Sequence, residues 1–399
     1  MKPVNVVLVG IGGYGGFYVN ALLQGGGKYP YILNGVVDPY PERSHYYEKI
    51  RELKIPMYPS LEAYYAVAKS DLAVIASPIQ YHSTQTCLAL SQGSNVLSEK
   101  PLCPTMEEAF MMMKARDQAQ KFVAIGYQWS HSQGIQDLKR DIMSGEFGKP
   151  LRLKTLVLWP RTDSYYARGW AGKKQDANGT MILDSVANNA TAHYLHNMFY
   201  VLGEGIAESA FPSVVRAELY RANFIDNFDT AAMRAYTENG VEVLYYGSHA
   251  VNQSKGALFR YEFEQAVITF DDGEHKKGSP IVARFHNGEI KEYENPNQHP
   301  ATKLWMAIAA VAEQGVPVCG IEAAMSQTMC ISGMQASMRE IVDFPEAIVK
   351  RGERFWKNDT GHYVEGLVEQ MTHCYEQAIL PAEAGYHWAK SGESIQLSR

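Results

Sequence analysis

Residues 4–15, VNVVLVGIGGYG, restrict the fold more than any other stretch of the chain. The apolar run lacks the polar alternation of a half-exposed strand, so it reads as a strand covered on both faces, as in a parallel sheet. It stops at Gly10, and Gly10, Gly12 and Gly15 then fall in G-x-G-x-x-G spacing, just before a helical pattern reaching about Gln24. Strand, glycine turn and helix in that order make a βα unit whose helix N-terminus offers N–H groups and a positive dipole end. A side chain at Gly12 would stand where a pyrophosphate has to approach. The turn formed by Gly10, Gly12, Gly13, Tyr14 and Gly15 is therefore the expected dinucleotide site.

Further apolar runs (YILNGVVD, DLAVIASP, NVLSEK, FVAIGY) alternate with helical patterns up to residue 126, and Thr105 with Glu108 forms a capping box before one of them. Repeated βα units predict an α/β domain over residues 1–126, a Rossmann fold with a doubly wound parallel sheet. The second run ends at Asp38, about 20 residues past the glycines. A carboxylate there accepts hydrogen bonds from the adenine ribose and repels a 2′-phosphate, which favours NAD; Arg43 softens that preference and keeps NADP open.

After residue 126 the pattern changes. A helix over roughly 132–144 leads to the strand LRLKTLVLW, an aromatic and arginine-rich loop over 160–178, and an apolar helix over 188–202. Between about 212 and 293, strand-like segments separated by ENG, DDG and HNG turns predict a large, open, mainly antiparallel sheet. Helices near 301–314 and 321–341 follow, then a tail over about 345–399 with one helix near 363–378. The reading is a second, α+β domain over 127–399 for substrate binding and oligomerisation. A length of 399 residues suits two domains.

The net charge of −6 gives no basic footprint for nucleic acid, and no apolar run is long enough to span a membrane. Five scattered cysteines without a C-x-x-C pair point to a reducing, cytoplasmic location.

The fourth apolar run, NVLSEK, closes on Glu99-Lys100-Pro101. A strand end in an open α/β sheet faces the ligand crevice, so Lys100 is placed to hold a substrate oxygen and stabilise its developing charge. Glu99 beside it can tether the ammonium, and a cis Lys100–Pro101 bond would aim it. GIGGYG, the acidic end of the second strand, SPIQYH and EKPLCPTMEEA together resemble the glucose–fructose oxidoreductase, inositol dehydrogenase and MocA family over nearly the whole chain. That resemblance implies an NAD-dependent dehydrogenase of a sugar, inositol or sugar-derived polyol, commonly a homo-oligomer (dimer or tetramer). Lys100 matches the family's catalytic-site lysine, and Ser77, Pro78 and His82 match the loop beside the cofactor.

The family also carries D-x-x-x-H on a helix, the histidine being the general acid/base. Here NGTMILDSVANNATAHYLHNMFYVLG departs from it. Counting from the glycine selects Asp184; counting back from the helix end selects His193, with Asn189 one turn before it. His193 is the expected acid/base, supported by Asp184 or Asn189. Asn188 and Asn189, with Trp129 and with Arg161 and Arg168 of the aromatic loop, are expected substrate contacts. Aromatic faces stack on sugar C–H surfaces, and guanidinium binds hydroxyls or a carboxylate. His193 and His196 have no evident third partner, so no metal is expected. Two other activities share these residues: an NAD-assisted glycosidase, and a non-enzymatic NAD-binding sensor. The retained lysine and histidine argue against the sensor.

Overall fold

A computed structural model describes residues 2–273, 278–353 and 359–398. The chain forms two compact units, residues 1–132 with 299–325, and residues 133–298 with 326–399. Relative to a division at residue 126, the first boundary lies at 132 and the segment 299–325 returns to the first unit. Its helix, Thr302–Glu313, buries Leu304, Ala307 and Ile308 in the same core as Val6, Leu8, Leu72, Val74 and Leu97. Turn signals place a helix in the chain but do not say which core its apolar face joins.

The first unit holds a parallel sheet of β1 (Val4–Val9), β2 (Tyr31–Val37), β3 (Met57–Tyr58), β4 (Leu72–Ile75), β5 (Asn95–Ser98) and β6 (Val123–Ile125), in spatial order β3-β2-β1-β4-β5-β6. Every residue of β4 is buried, as a continuous apolar run requires. Strand order reverses between β1 and β4, and ligands of such sheets bind beyond the carboxyl ends at that point. Gly10 leaves β1 at φ +82°, and a Cβ there would lie 2.8 Å from the Ala76 carbonyl oxygen. The turn therefore packs against the end of β4 only because position 10 lacks a side chain. Thr105 Oγ1 accepts from the Glu108 N–H at 3.3 Å, the predicted cap.

In the second unit lie β7 (Pro150–Leu158), β8 (Pro212–Arg221), β9 (Thr230–Thr237), β10 (Glu242–Ser248), β11 (Lys255–Phe263), β12 (Ala266–Asp271), β13 (Ile281–Phe285), β14 (Ile290–Tyr293) and β15 (Val342–Asp343). They form one sheet in the order β14-β13-β12-β11-β7-β10-β9-β8-β15. All described ladders along it are antiparallel except β7 with β10 and β15 with β8. The mainly antiparallel sheet is thus present, and β7 enters its middle rather than its edge. The predicted helix over 188–202 begins only at Ala192 and ends at Val201. Polar side chains ahead of it take over the backbone groups: Ser185 Oγ accepts from the Asn188 N–H at 3.1 Å, and Thr191 Oγ1 donates to the Val186 carbonyl.

The tail packs on the sheet of the second unit. Val364, Leu367, Met371, Cys374, Leu380 and Trp388 share one buried cluster with Leu156, Leu158, Tyr220, Leu244 and Tyr246. Trp388 is 4% exposed, its ring 4.9 Å from that of Tyr220 and 5.0 Å from that of Phe344. Glu218 on β8 is fully buried beneath this cover, accepting from the Tyr220 hydroxyl at 2.8 Å and from the Ala382 N–H at 3.0 Å. Burial pushes its carboxyl up to about 7, against the pull of those hydrogen bonds.

Trp388→Ala is expected to cost about 3–5 kcal/mol in chemical denaturation, the usual loss for a large aromatic removed from a core. A loss under about 1 kcal/mol would mean that the tail is not docked in solution. Glu218 has a folded pKa above the unfolded value of about 4.3, so its contribution is complete below that pH and is lost as pH rises through 7. Glu218→Gln should therefore flatten the fall in stability between about pH 4.3 and 7; an unchanged slope would contradict the assignment.

Candidate functional site

Within the first unit, Gly12 has no protein atom within 4 Å of where its Cβ would stand, and the same holds for Gly13. Protein packing therefore does not require glycine at position 12, whereas a phosphate lying against the backbone does. The residues present fit a dinucleotide. Gly15 is different: its Cβ would fall 2.0 Å from the Gly10 carbonyl oxygen, so it serves the contact of helix Gly15–Gln24 with the turn. Asp38 Oδ2 accepts from the Ile11 N–H at 3.0 Å and Oδ1 from the Tyr40 N–H at 2.9 Å. Each oxygen keeps a lone pair for a ribose hydroxyl. Arg43 lies over the Tyr40 ring at 4.2 Å.

The loops after β4 and β5 are braced by His82, which is 1% exposed. Its Nε2 is 2.9 Å from the Ser77 carbonyl oxygen and its Nδ1 2.8 Å from that of Pro101. Burial lowers its pKa despite both carbonyls. His82 therefore shapes the cofactor loop from inside, while Ser77 Oγ donates to Gln85 Oε1 at 2.6 Å.

The Lys100–Pro101 bond is cis. Glu99 is 6% exposed and turns inward. Its Oε1 accepts from the Tyr18 hydroxyl at 2.5 Å and from the fully buried Lys303 ammonium, while Oε2 accepts from the Lys100 N–H at 3.2 Å. Lys303 also donates to the Gly126 carbonyl at 3.2 Å and lies over the Tyr14 ring at 4.6 Å. Burial alone would raise the Glu99 carboxyl; the charges of Lys303 and Lys100 and the two side-chain hydrogen bonds outweigh it and hold it below the usual range. The principal partner of Glu99 is thus a residue that sequence reasoning missed. Its only signal was a lysine beside Leu304 on the apolar face of TKLWMAIAAVAE. Trp129, expected at the substrate, is 1% exposed, so its ring is a packing element and not a stacking platform.

In the second unit, His193 is half-buried while every other residue of helix Ala192–Val201 is buried. His196 is buried and stacks on Tyr200 at 5.5 Å. Asp184 is 2% exposed and follows Leu183, which sits at φ +50°. Asp184 Oδ1 accepts from Asn189 Nδ2 at 2.7 Å and Oδ2 from the Gly172 N–H at 2.6 Å. The two candidates for supporting His193 are thus bonded to each other. Asn188 departs from expectation. It has no exposed surface, its Nδ2 donates to the Leu183 carbonyl at 3.0 Å and its Oδ1 accepts from Gln327 at 3.2 Å. It braces the turn and has no group directed to a substrate. Arg161 and Arg168 both approach Tyr165, at 5.1 and 5.0 Å from its ring centroid. Among the described residues, no group of three or more His, Cys, Asp and Glu side chains is placed to hold a metal.

Lys303→Met would strand a buried carboxylate, with an expected loss of about 3–5 kcal/mol. Adding Glu99→Gln should recover part of it, because no buried charge is then left uncompensated. Equal denaturation midpoints for the single and double variants would refute the pairing.

Residues 4–127 match the model of the GFO_IDH_MocA family, an oxidoreductase family with an NAD-binding Rossmann fold. A 1,5-anhydro-D-fructose reductase of Ensifer adhaerens is 24% identical over 188 residues, 43% of this chain and 54% of the reductase. The chain thus spans about half the length of that curated relative. The WlbA dehydrogenase of Bordetella pertussis, in complex with NADH and UDP-GlcNAcA, superposes at TM-score 0.68 and 19% identity, over 85% of this chain and 97% of that one. An inositol dehydrogenase homologue of Azotobacter vinelandii, complexed with NADH and myo-inositol, gives 0.67 at 18% identity, over 84% and 96%. At these identities the structural matches are likenesses of fold. Residues 4–127 thus match the NAD-binding Rossmann fold of the GFO_IDH_MocA oxidoreductase family.

Proposed function

We propose that this chain is an NAD-dependent dehydrogenase acting on a CH–OH group of a sugar, an inositol or a sugar-derived polyol. The observation that carries the reading is the turn after β1, where Gly12 leaves the backbone open to a phosphate and Asp38 is bonded to the turn itself. The names of the reductase and of the inositol dehydrogenase homologue support a polyol substrate.

Gly10, Gly12, Gly13, Tyr14 and Gly15 would hold the pyrophosphate, Asp38 the adenine ribose, and the loop from Ser77 and Pro78 the nicotinamide side. When bound, NAD supplies the acceptor for the hydride that leaves the carbinol carbon. His193 takes the hydroxyl proton on a ring nitrogen. Lys100 donates to the substrate oxygen and stabilises the negative charge that develops there. Asp184 acts as a positioning residue, holding the amide of Asn189 four residues before His193. Carbonyl reduction uses the same groups with the proton returned by His193. We place the protein in the cytoplasm as a homo-oligomer without nucleic-acid partners. Cys87, Cys103, Cys319, Cys330 and Cys374 are free thiols, and no described helix is long and apolar enough to cross a membrane.

The test mixes the purified protein with NAD and a panel of sugars, inositols, sugar acids and aryl glycosides, following NADH and glycoside cleavage together. NADH should form with one polyol and fall at least about 100-fold in Lys100→Ala and in His193→Ala, with NAD binding retained. Cleavage without net NADH would replace the reading with the NAD-assisted glycosidase. Tight NAD binding with no turnover of any panel member would leave the sensor.

A further inference from the structure

We propose that the substrate bears an anionic group, a carboxylate or phosphate on the sugar or polyol, and that Arg161 and Arg168 bind it; this rests on the dehydrogenase reading and narrows its substrate class. The loop between β7 and the His193 helix brings two guanidinium groups onto a single ring, that of Tyr165. Several other arginines of the second unit do have acid partners: Arg152 with Glu242, Arg234 with Glu242 and Glu383, Arg221 with Asp343, Arg351 with Asp163. Arg161 and Arg168 have no such ion pair among the described residues. Arg161 donates to the Pro160 carbonyl at 3.0 Å.

The nearby carboxylates already accept hydrogen bonds. Asp184 accepts from Gly172 and Asn189, and Asp163 from Arg351 and Thr360. His249, whose Nδ1 is 2.7 Å from the Trp159 carbonyl oxygen, is kept neutral by burial and by the charge of Arg161, at about 3. Among the described residues, neither guanidinium has an ion-pair partner within reach. A carboxylate or phosphate, with two or more oxygens, is the group that guanidinium forks match best.

The loop is also fixed with respect to the proposed acid/base. Gly172 sits at φ +70°, and a Cβ there would lie 2.6 Å from Ile225. Its N–H is held by Asp184, and its carbonyl accepts from the Asp226 and Asn227 N–H groups at 3.0 and 2.9 Å. Asn189 Nδ2, four residues before His193, reaches the Tyr165 hydroxyl at 3.4 Å. Tyr165 and Trp170, with centroids 6.4 Å apart, add aromatic faces for the ring of a sugar.

The test uses matched pairs with NAD present: glucose against glucuronate, glucose against glucose 6-phosphate, and myo-inositol against its monophosphate. NADH formation gives kcat/KM, and the ligand-induced rise in Tm gives binding. The acidic member of at least one pair should lead by about 10-fold or more in kcat/KM, and the lead should shrink with added salt. In Arg168→Gln and in Arg161→Gln that ratio should collapse toward one through KM, with Arg168→Lys intermediate. Arg168 is exposed, so its variants are expected to melt like the wild type without ligand. Neutral members that match or exceed every acidic one, a ratio unmoved by both arginine variants, or no response to any acidic member would each overturn the subsite. An acidic ligand that raises Tm only while both arginines are present, with no NADH from any pair, would keep the subsite and discard the dehydrogenase.

Discussion

A carboxylate and an ammonium shut away from water set the terms for the first unit. Burying either ion alone costs several kcal/mol, and the cost is offset only when the partner and further donors are in place. Glu99 receives Lys303 and the Tyr18 hydroxyl on one oxygen and the Lys100 N–H on the other. The acid–lysine–proline triplet at the end of β5 is thereby split, its acid drawn inward while Lys100 stays half-buried. The pairing commits residues from two distant parts of the chain to one core. Lys303 can reach Glu99 only if its helix seats Leu304, Ala307 and Ile308 against the parallel sheet.

Asp184 plays a comparable part in the second unit. Its carboxylate joins the loop that carries Arg168 to the turn that leads into the His193 helix, and its own carbonyl accepts from Asn227 Nδ2 at 2.9 Å. Leu183, in the left-handed region, is the backbone strain associated with this turn, a cost of order 1–3 kcal/mol for a side-chain-bearing residue. The stretch between Asp184 and His193 is therefore held by hydrogen bonds along its length. Asn189 receives the carboxylate, and Asn188 locks the turn from beneath.

What could be read beforehand follows from what leaves a local trace. Continuous apolar runs announced the parallel strands, turn dipeptides announced the antiparallel ones, and glycine spacing located the cofactor turn because close approach needs glycine at fixed offsets. Contacts between distant segments leave no such trace. Lys303 reads as a lysine on an apolar helix, which ordinarily extends its head to water. Asn188 and Asn189 look alike in sequence, yet one is fully buried and the other half-buried. Trp129 follows the last strand of the parallel sheet, where a substrate contact is plausible, and only its burial shows that it belongs to the core. The mixed polar and aromatic composition of the tail concealed an apolar stripe, Leu367, Val368, Met371 and Cys374, on a single helix.

That tail has a consequence for how the protein responds to dilution. Apolar surface covered by another molecule is covered only as far as mass action allows, and stability then tracks protein concentration. Here the cover over β7, β8 and β10 is tethered to the same chain, so its effective concentration is set by the linker and not by the number of molecules in solution. Whatever assembly the remaining strands form, this part of the sheet stays shielded in a single chain.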